Sequence, residues 1–166
     1  MSRASLLQSR SSKLLLCAAL AFVVSACAGT PSLYDYITVA PAETQVWNNF
    51  MPGSKPNCSA LMRLHITNPS ETEIVLRDPE LVIAEPDEMH PLRKFPAILT
   101  VNDQRSREAR IAPGETVVLA FRSPSFGLEP IDTEKYPRVR LAIRLNSSVG
   151  LPLHFRSPIV DIFDTH

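Results

Sequence analysis

Prolines interrupt this chain so often that no long helix is expected in it. All fifteen lie between Pro31 and Pro158 and are spread along that whole range. A proline inside a helix removes a backbone hydrogen bond and clashes with the preceding turn. Many of the short segments between the prolines alternate apolar and polar residues, which is the pattern of a strand with one buried face. The sequence therefore predicts an all-β fold.

The clearest alternation runs over residues 138–146 and predicts a strand with four core-facing side chains: Val139, Leu141, Ile143 and Leu145. The same criterion predicts further strands at 60–67, 72–76, 80–84, 97–102, 107–112, 116–122, 151–156 and 159–163. Segment 123–137 contains three prolines, and segment 87–95 contains Pro91 and several polar residues, so we expect long loops in both.

Turn residues separate several of these segments. Asn68-Pro69-Ser70 is interpreted as the turn of a hairpin between 60–67 and 72–76. Pro113-Gly114 predicts a type II turn, because glycine readily adopts the positive φ that such a turn requires. About eight or nine strands at this spacing indicate an immunoglobulin-like antiparallel β-sandwich. We expect it to form a single domain over residues 34–166.

Residues 1–26 differ in character from the rest of the chain. Arg3, Arg10 and Lys13 precede an apolar run of eleven residues that extends from Leu14 to Val24. A helix that crosses a bilayer needs roughly 20 apolar residues, whereas a run of this length is typical of a signal peptide. We therefore expect a cleaved N-terminal signal peptide over residues 1–26.

The end of this segment, Val24-Ser25-Ala26-Cys27, resembles the lipobox of bacterial lipoproteins. The resemblance implies that Cys27 carries a covalent lipid and becomes the first residue after cleavage. Residues 27–33 are then the lipidated cysteine and a short tether to a bilayer. By resemblance to enterobacterial lipoproteins, Ala28 implies the outer membrane, facing the periplasm. The alternative is an ordinary secretory signal that leaves Cys27 unmodified.

Loss of the signal changes the charge and cysteine content. Three of the 17 basic residues leave with it, so 14 remain against 17 acidic residues, a formal net charge of −3. This balance gives no argument for a nucleic-acid partner. Cys58 is then the one cysteine besides Cys27, so the domain is predicted to lack an internal disulfide. We expect a reduced and partly shielded thiol, with an intermolecular disulfide as the alternative.

Motifs for catalysis are incomplete. None of the five glycines lies in a phosphate-binding loop or a nucleophile elbow, and no spacing indicates a catalytic triad. We therefore predict a protein that is not an enzyme and has no cofactor besides the lipid on Cys27. Asp87, Glu88 and His90 are weak candidate metal ligands, since adjacent polar residues between prolines ordinarily form a solvated turn. With Trp47, they define the alternative function, a small-ligand or metal-binding lipoprotein.

Three groups of envelope proteins resemble this chain in layout. Periplasmic copper chaperones and pilus chaperones share its turn pattern and immunoglobulin-like organisation, and the outer-membrane lipoprotein of type VI secretion is similar in size and lipobox. The paired His and Met motif of the copper chaperones is absent, so the resemblance does not imply copper handling. Likeness of fold does not establish function.

The strand at 138–146 also provides a candidate binding surface. Arg138, Arg140 and Arg144 fall on its outward side, and no acidic residue occurs from Tyr136 to Val160. Alternate residues of a strand stand about 6.5–7 Å apart, and arginine pairs well with carboxylates. We predict a basic stripe that contacts an envelope protein, which makes the protein a non-catalytic interaction module. The alternative is a solvated face that protects a sheet surface or edge.

The lipid prediction is tested by Cys27→Ser. Only the thiol can accept the lipid, so the variant should lose incorporation of a clickable fatty acid and either remain as precursor or be released from the membrane. Metabolic labelling followed by gel fluorescence measures this. Equal labelling of the variant and the unchanged protein would contradict a lipid on Cys27.

Overall fold

The computed structural model describes residues 32–87, 90–124 and 128–166. Its strands are β1 (Thr38–Asn49), β2 (Asn57–Thr67), β3 (Ile74–Ala84), β4 (Pro91–Pro96), β5 (Ile98–Val101), β6 (Gln104–Ser106), β7 (Glu108–Ile111), β8 (Thr116–Arg122), β9 (Arg138–Ser147) and β10 (Leu153–Thr165). A single turn of 3-10 helix, Leu33–Asp35, precedes β1. The all-β prediction is confirmed. In the described part of the chain, no helix has the length and apolar character needed to cross a membrane.

The strands form a curled sandwich in the order β4-β3-β9-β10-β1-β2-β8-β5-β6, with β7 beside β3. One sheet contains β4, β7, β3 and β9, and the other contains β1, β2, β8, β5 and β6. β10 belongs to both: residues 153–161 pair antiparallel with β9, and residues 162–165 pair parallel with β1. The expected antiparallel arrangement thus has one parallel pair.

The predicted core side of β9 is confirmed, since its four apolar side chains are no more than 1% exposed: Val139, Leu141, Ile143 and Leu145. They belong to one cluster with side chains from the opposite sheet, including Met62 and Leu64 of β2 and Phe121 of β8. Burial of such side chains contributes roughly 1.5–3 kcal/mol each. The core therefore spans both sheets.

Two strands continue through sites where the sequence predicted an interruption. β3 contains a register shift at Asp78-Pro79, and β10 contains one at Ser157-Pro158. Asp78 has a φ of 53°. Proline cannot donate to a strand ladder, and a bulge accommodates it without ending the strand. In β10 the Ser157 hydroxyl accepts a hydrogen bond from the Leu141 N–H at 3.0 Å, which satisfies a buried donor beside the bulge.

The predicted hairpin between 60–67 and 72–76 is wrong. β2 pairs with β1 and β8, whereas β3 pairs with β4, β7 and β9. The Asn68-Pro69-Ser70 turn instead carries the chain from one sheet to the other. Hairpin turns and crossovers use the same turn residues, so the local sequence does not distinguish them.

Three strands were not predicted. β1 has a mostly exposed start and a register shift between Pro41 and Glu43, which hide its alternation. β4 falls within the predicted loop at 87–95, and its prolines are tolerated because it is the outer strand of its sheet. Phe95 of β4 is buried opposite Leu81 of β3. The short β6 follows a turn in which Asn102 has a φ of 49°.

The crossover is fixed by a buried amide. The Asn68 side chain is fully buried, and its Nδ2 donates to the carbonyls of Thr72 at 2.8 Å and Ile111 at 2.9 Å. Its Oδ1 accepts from the backbone N–H of Ser70 at 3.0 Å. Gly114 also donates its backbone N–H to the Asn68 carbonyl, and its φ of +74° confirms the predicted turn geometry. The loop between β2 and β3 and the loop between β7 and β8, each of which passes from one sheet to the other, are thereby joined.

Asn68→Ala should lower the free energy of unfolding by about 3 kcal/mol, because it leaves buried carbonyls and a backbone N–H without partners. Chemical denaturation measures the loss. Asn146→Ala is the matched control, since Asn146 is exposed and donates only to the exposed Asp78. Equal effects of the two substitutions would contradict a structural role for the Asn68 amide.

Candidate interaction surface

The arginines predicted from the sequence lie together on the outer face of β9. Arg138 and Arg144 are exposed and Arg140 is half-buried, while the intervening apolar residues point into the core. β9 lies between β3 and β10. Protection of a sheet edge therefore does not account for them, and the alternatives that remain are a solvated face and a binding face.

The neighbouring strand adds a fourth arginine that the sequence analysis did not single out. Arg156 of β10 is exposed and lies in register with Ala142, between Arg140 and Arg144 along β9. His154 lies opposite Arg144. The same acid-free stretch of sequence contains Arg156, but only the strand pairing shows that it joins the face. We call Arg138, Arg140, Arg144 and Arg156 the arginine stripe.

None of the four stripe arginines forms an ion pair with a carboxylate in the described residues. Glu80 of β3 lies opposite Arg144, yet its carboxylate pairs with Lys94 at 3.1 Å. Asp161 lies opposite Arg138 without an ion pair between them. The charge of the stripe is therefore left largely uncompensated on the outer face.

Three arginines on other strands of the same domain have carboxylate partners, whereas Arg105 of β6 and Arg122 of β8 form no ion pair within the described residues. Glu108 lies 2.8 Å from Arg77 and 2.6 Å from Arg110, and Arg110 lies 3.3 Å from Glu73. The hydrogen bond from Arg110 is the main reason that the pKa of Glu108 is below its ordinary value. On the other sheet, Arg63 lies 3.3 Å from Glu43. What distinguishes the stripe is that its four unpaired arginines share one outer face of two adjacent strands.

Arg140 has a further unsatisfied group. Its Nε is shielded from solvent and has no hydrogen-bond partner among the described residues. A buried donor without a partner costs about 1–3 kcal/mol. The Nε of Arg63, outside the stripe, is likewise shielded and without a hydrogen-bond partner in the described residues.

The candidate metal ligands are not brought together with Trp47. Asp87 and His90 are exposed in the segment between β3 and β4, and Glu88 lies outside the described residues. Trp47 is on β1, which is separated from β3 by β9 and β10 in the strand order. In residues 32–87, 90–124 and 128–166, no three or more His, Cys, Asp or Glu side chains group as a metal site.

Of the two cysteines discussed above, only Cys58 lies in the described part of the chain. Cys27 lies outside the described residues. Cys58 is at the beginning of β2, only 1% exposed, and is free within the described part of the chain. Burial raises the pKa of its thiol to about 11, although the nearby charge of Arg93 acts in the opposite direction. The thiol is therefore protonated and shielded at neutral pH.

No protein-family model matches the sequence, and no curated protein matches it. Among solved structures, Spo0M, a sporulation control protein from Bacillus subtilis, has a TM-score of 0.40 and 16% identity over 79% of this chain and 49% of Spo0M. This chain thus spans about half the length of Spo0M.

Two further structures have similar scores. A FixG-related protein from Vibrio parahaemolyticus has a TM-score of 0.40 and 12% identity, over 76% of this chain and 94% of that one. The copper-bound PCuAC domain from PmoF2 has a TM-score of 0.40 and 7% identity, over 78% and 94%. Every one of these TM-scores lies below 0.5, so the fold of this chain is established by its own strand pairing.

Burial of Cys58 predicts slow alkylation in the native state. A pKa of about 11 in place of 9.0 lowers the thiolate fraction about 100-fold near pH 8, and shielding lowers the rate further. Iodoacetamide labelling, read by mass spectrometry of the Cys58 peptide, should therefore be far faster in urea than in buffer. Equal rates would contradict the buried position.

The same pKa shift predicts a pH dependence of stability. The folded state holds the thiol proton more tightly, so this contribution is complete below pH 9 and is lost as the pH rises from 9.0 to about 11. The free energy of unfolding should fall more steeply across that window in the unchanged protein than in Cys58→Ala. If the free energy of unfolding fell equally with pH in the two proteins, the thiol would be ruled out as the cause of the fall.

Proposed function

We propose that this protein is a lipid-anchored lipoprotein of the bacterial envelope that acts as a non-catalytic interaction module, with the arginine stripe as its contact surface. The observation that carries the proposal is the grouping of four arginines on one outer face of two adjacent strands, none of them in an ion pair with a carboxylate of the described residues. Other arginines without an ion pair, such as Arg105 and Arg122, lie on other strands. The partner that this surface fits is a protein with an acidic face.

The chemistry of the stripe supports an acidic protein surface as its ligand. Neighbouring guanidinium groups repel each other across adjacent strands, and carboxylates placed between them would remove that repulsion. The planar guanidinium donates two parallel hydrogen bonds to one carboxylate, which gives directional recognition as well as charge.

The N-terminal sequence supports the location. The lipobox-like Val24-Ser25-Ala26-Cys27 would place acyl chains on Cys27, and several chains on one residue hold a domain durably because each buried methylene contributes roughly 0.8 kcal/mol. Ala28 favours the outer membrane, with the domain facing the periplasm. An anchored module meets its partner at a membrane surface, where electrostatic attraction mainly increases the rate of encounter.

The stripe is tested by the double substitution Arg140→Glu and Arg144→Glu. It should reduce partner crosslinking in intact envelopes by about five- to thirtyfold, since each exposed charge pair contributes up to about 1 kcal/mol. The thermal midpoint should stay nearly unchanged, because the apolar side of β9 is untouched. Quantitative mass spectrometry of crosslinked partners measures the effect.

Arg105→Glu with Arg107→Glu is the matched control. Both residues are exposed near β6, so the pair makes the same charge change away from the stripe. Crosslinking that survives the stripe substitution, or that falls equally in the control, would leave the stripe as a solvated face.

A further inference from the structure

We infer that the contact surface continues beyond the arginine stripe onto three large apolar side chains, Ile159, Phe163 and Trp47, and that it binds an extended protein segment carrying carboxylates and an apolar side chain on one face. This inference rests on the proposed interaction function and specifies the chemistry of the partner. We call these three residues the apolar patch.

Strand pairing places the apolar patch directly beside the stripe. Ile159 of β10 lies opposite Arg140, and the next outward position, Asp161, lies opposite Arg138. Two residues further on, Phe163 lies in register with Trp47 of β1. The outer face of β10 therefore leads from guanidinium groups, past the exposed Asp161, to Phe163 beside Trp47, where the two sheets meet.

The apolar patch is exposed rather than packed. Phe163 is 60% exposed and Ile159 is 40% exposed. Neither they nor the half-buried Trp47 belongs to the core cluster. Single apolar residues on a surface are ordinary, but a group with polar neighbours marks an interaction site. Aromatic residues and arginine are also the residues most enriched where protein partners make their strongest contacts.

The spacing of the surface fits an extended segment. Outward residues along β10 and β9 stand about 6.5–7 Å apart, and alternate side chains of an extended partner have the same spacing. Carboxylates at two successive positions on one face of the partner would meet Arg140 and Arg138. The next position on that face would meet Phe163 and Trp47, where an apolar side chain loses its contact with water.

An anionic lipid surface fits less well than a protein segment. Asp161 is exposed between Ile159 and Phe163, and the exposed Asp164 follows directly after Phe163. A lipid surface presents its negative charge uniformly and would be repelled by these carboxylates. A protein segment can instead place carboxylates only at the arginines and an uncharged side chain beside Asp164.

Trp47 makes the test direct, because it is the single tryptophan of the chain. The probe is the synthetic peptide Thr-Glu-Thr-Glu-Thr-Leu-Thr, which presents two carboxylates and one leucine on the same face when extended. Titrated into the mature lipidated protein in non-ionic detergent, it should produce a saturable change in Trp47 emission. Replacing both Glu by Gln, or Leu by Ala, should weaken binding at least tenfold.

Substitutions locate the effect on the protein. Phe163→Ser should weaken the peptide at least tenfold with an unchanged thermal midpoint, and Phe163→Leu should retain most of the binding. Tyr36→Ser is the matched control, because Tyr36 is a 37% exposed aromatic residue that precedes β1. No emission change with the peptide, or equal binding by the Phe163→Ser and unchanged proteins, would overturn the inference.

Other occupants give different outcomes. After reconstitution into vesicles, a Trp47 emission shift that requires phosphatidylglycerol and is absent with phosphatidylethanolamine alone would overturn the inference in favour of a lipid surface. A shift that depends on protein concentration without peptide would overturn it in favour of a second copy. If the stripe substitution reduces crosslinking in envelopes but Phe163→Ser does not, the proposed function stands and only the apolar extension fails.

Discussion

β10 is the strand on which the rest of the structure depends, because it carries backbone ladders of opposite sense in its two halves. Its first part pairs antiparallel with β9 and its last four residues pair parallel with β1. The bulge at Ser157-Pro158 lies within the first part, and the Ser157 hydroxyl satisfies the buried Leu141 N–H there. Without that bulge, a proline in the middle of a central strand would leave a gap in its ladder. Among the strands of the described residues, β10 is the one that joins the two sheets.

Two buried asparagines fix the loops around this sandwich. Asn68 joins the crossover loops, as described above, and Asn48 does the same at the end of β1. Asn48 donates to the Ile131 carbonyl at 2.8 Å and to Asp164 at 2.9 Å, and it accepts from the Ile131 N–H at 2.9 Å. It therefore fastens the long segment before β9 to the last residues of β10. Burying a side-chain amide is unfavourable unless it is hydrogen-bonded. Because these amides find their partners only when the loops are arranged as observed, they favour that arrangement over others.

The sequence predicted those parts of the fold that depend on local alternation. Residues 116–122 and 138–146 match β8 and β9 because their side chains face the core at every second position. β1 escaped prediction because its start is exposed and contains Pro41, so that its position is determined by pairing with β2 and β10 rather than by its own pattern. The strands that pair with β2 also could not be predicted from local sequence, since nothing in Asn68-Pro69-Ser70 distinguishes a crossover from a hairpin.

The candidate surface was likewise predictable from the sequence only in part. The outward position of Arg138, Arg140 and Arg144 followed from alternation, but the lack of ion pairs depends on which strands lie beside β9. The positions of Arg156 and Phe163 on this surface depend on β10, which the sequence analysis treated as two separate strands, 151–156 and 159–163. The pattern of β9 alone predicts outward arginines, but the extent of the surface is determined by which strands pair with β9 and β10.

The grouping of four like charges on one face is the feature that favours a binding role for the stripe. The predicted mature chain carries more acidic than basic residues, and Arg63, Arg77 and Arg110 have carboxylate partners, whereas Arg105 and Arg122 do not. A face that served only to keep the sheet soluble would gain from the same pairing, because like charges on adjacent strands are destabilising. At Arg144 the nearby Glu80 instead pairs with Lys94. Neighbouring unpaired guanidinium groups beside the exposed Phe163 and the half-buried Trp47 carry a cost in the free domain that a complementary partner would remove, and this is the physical reason to place the contact there.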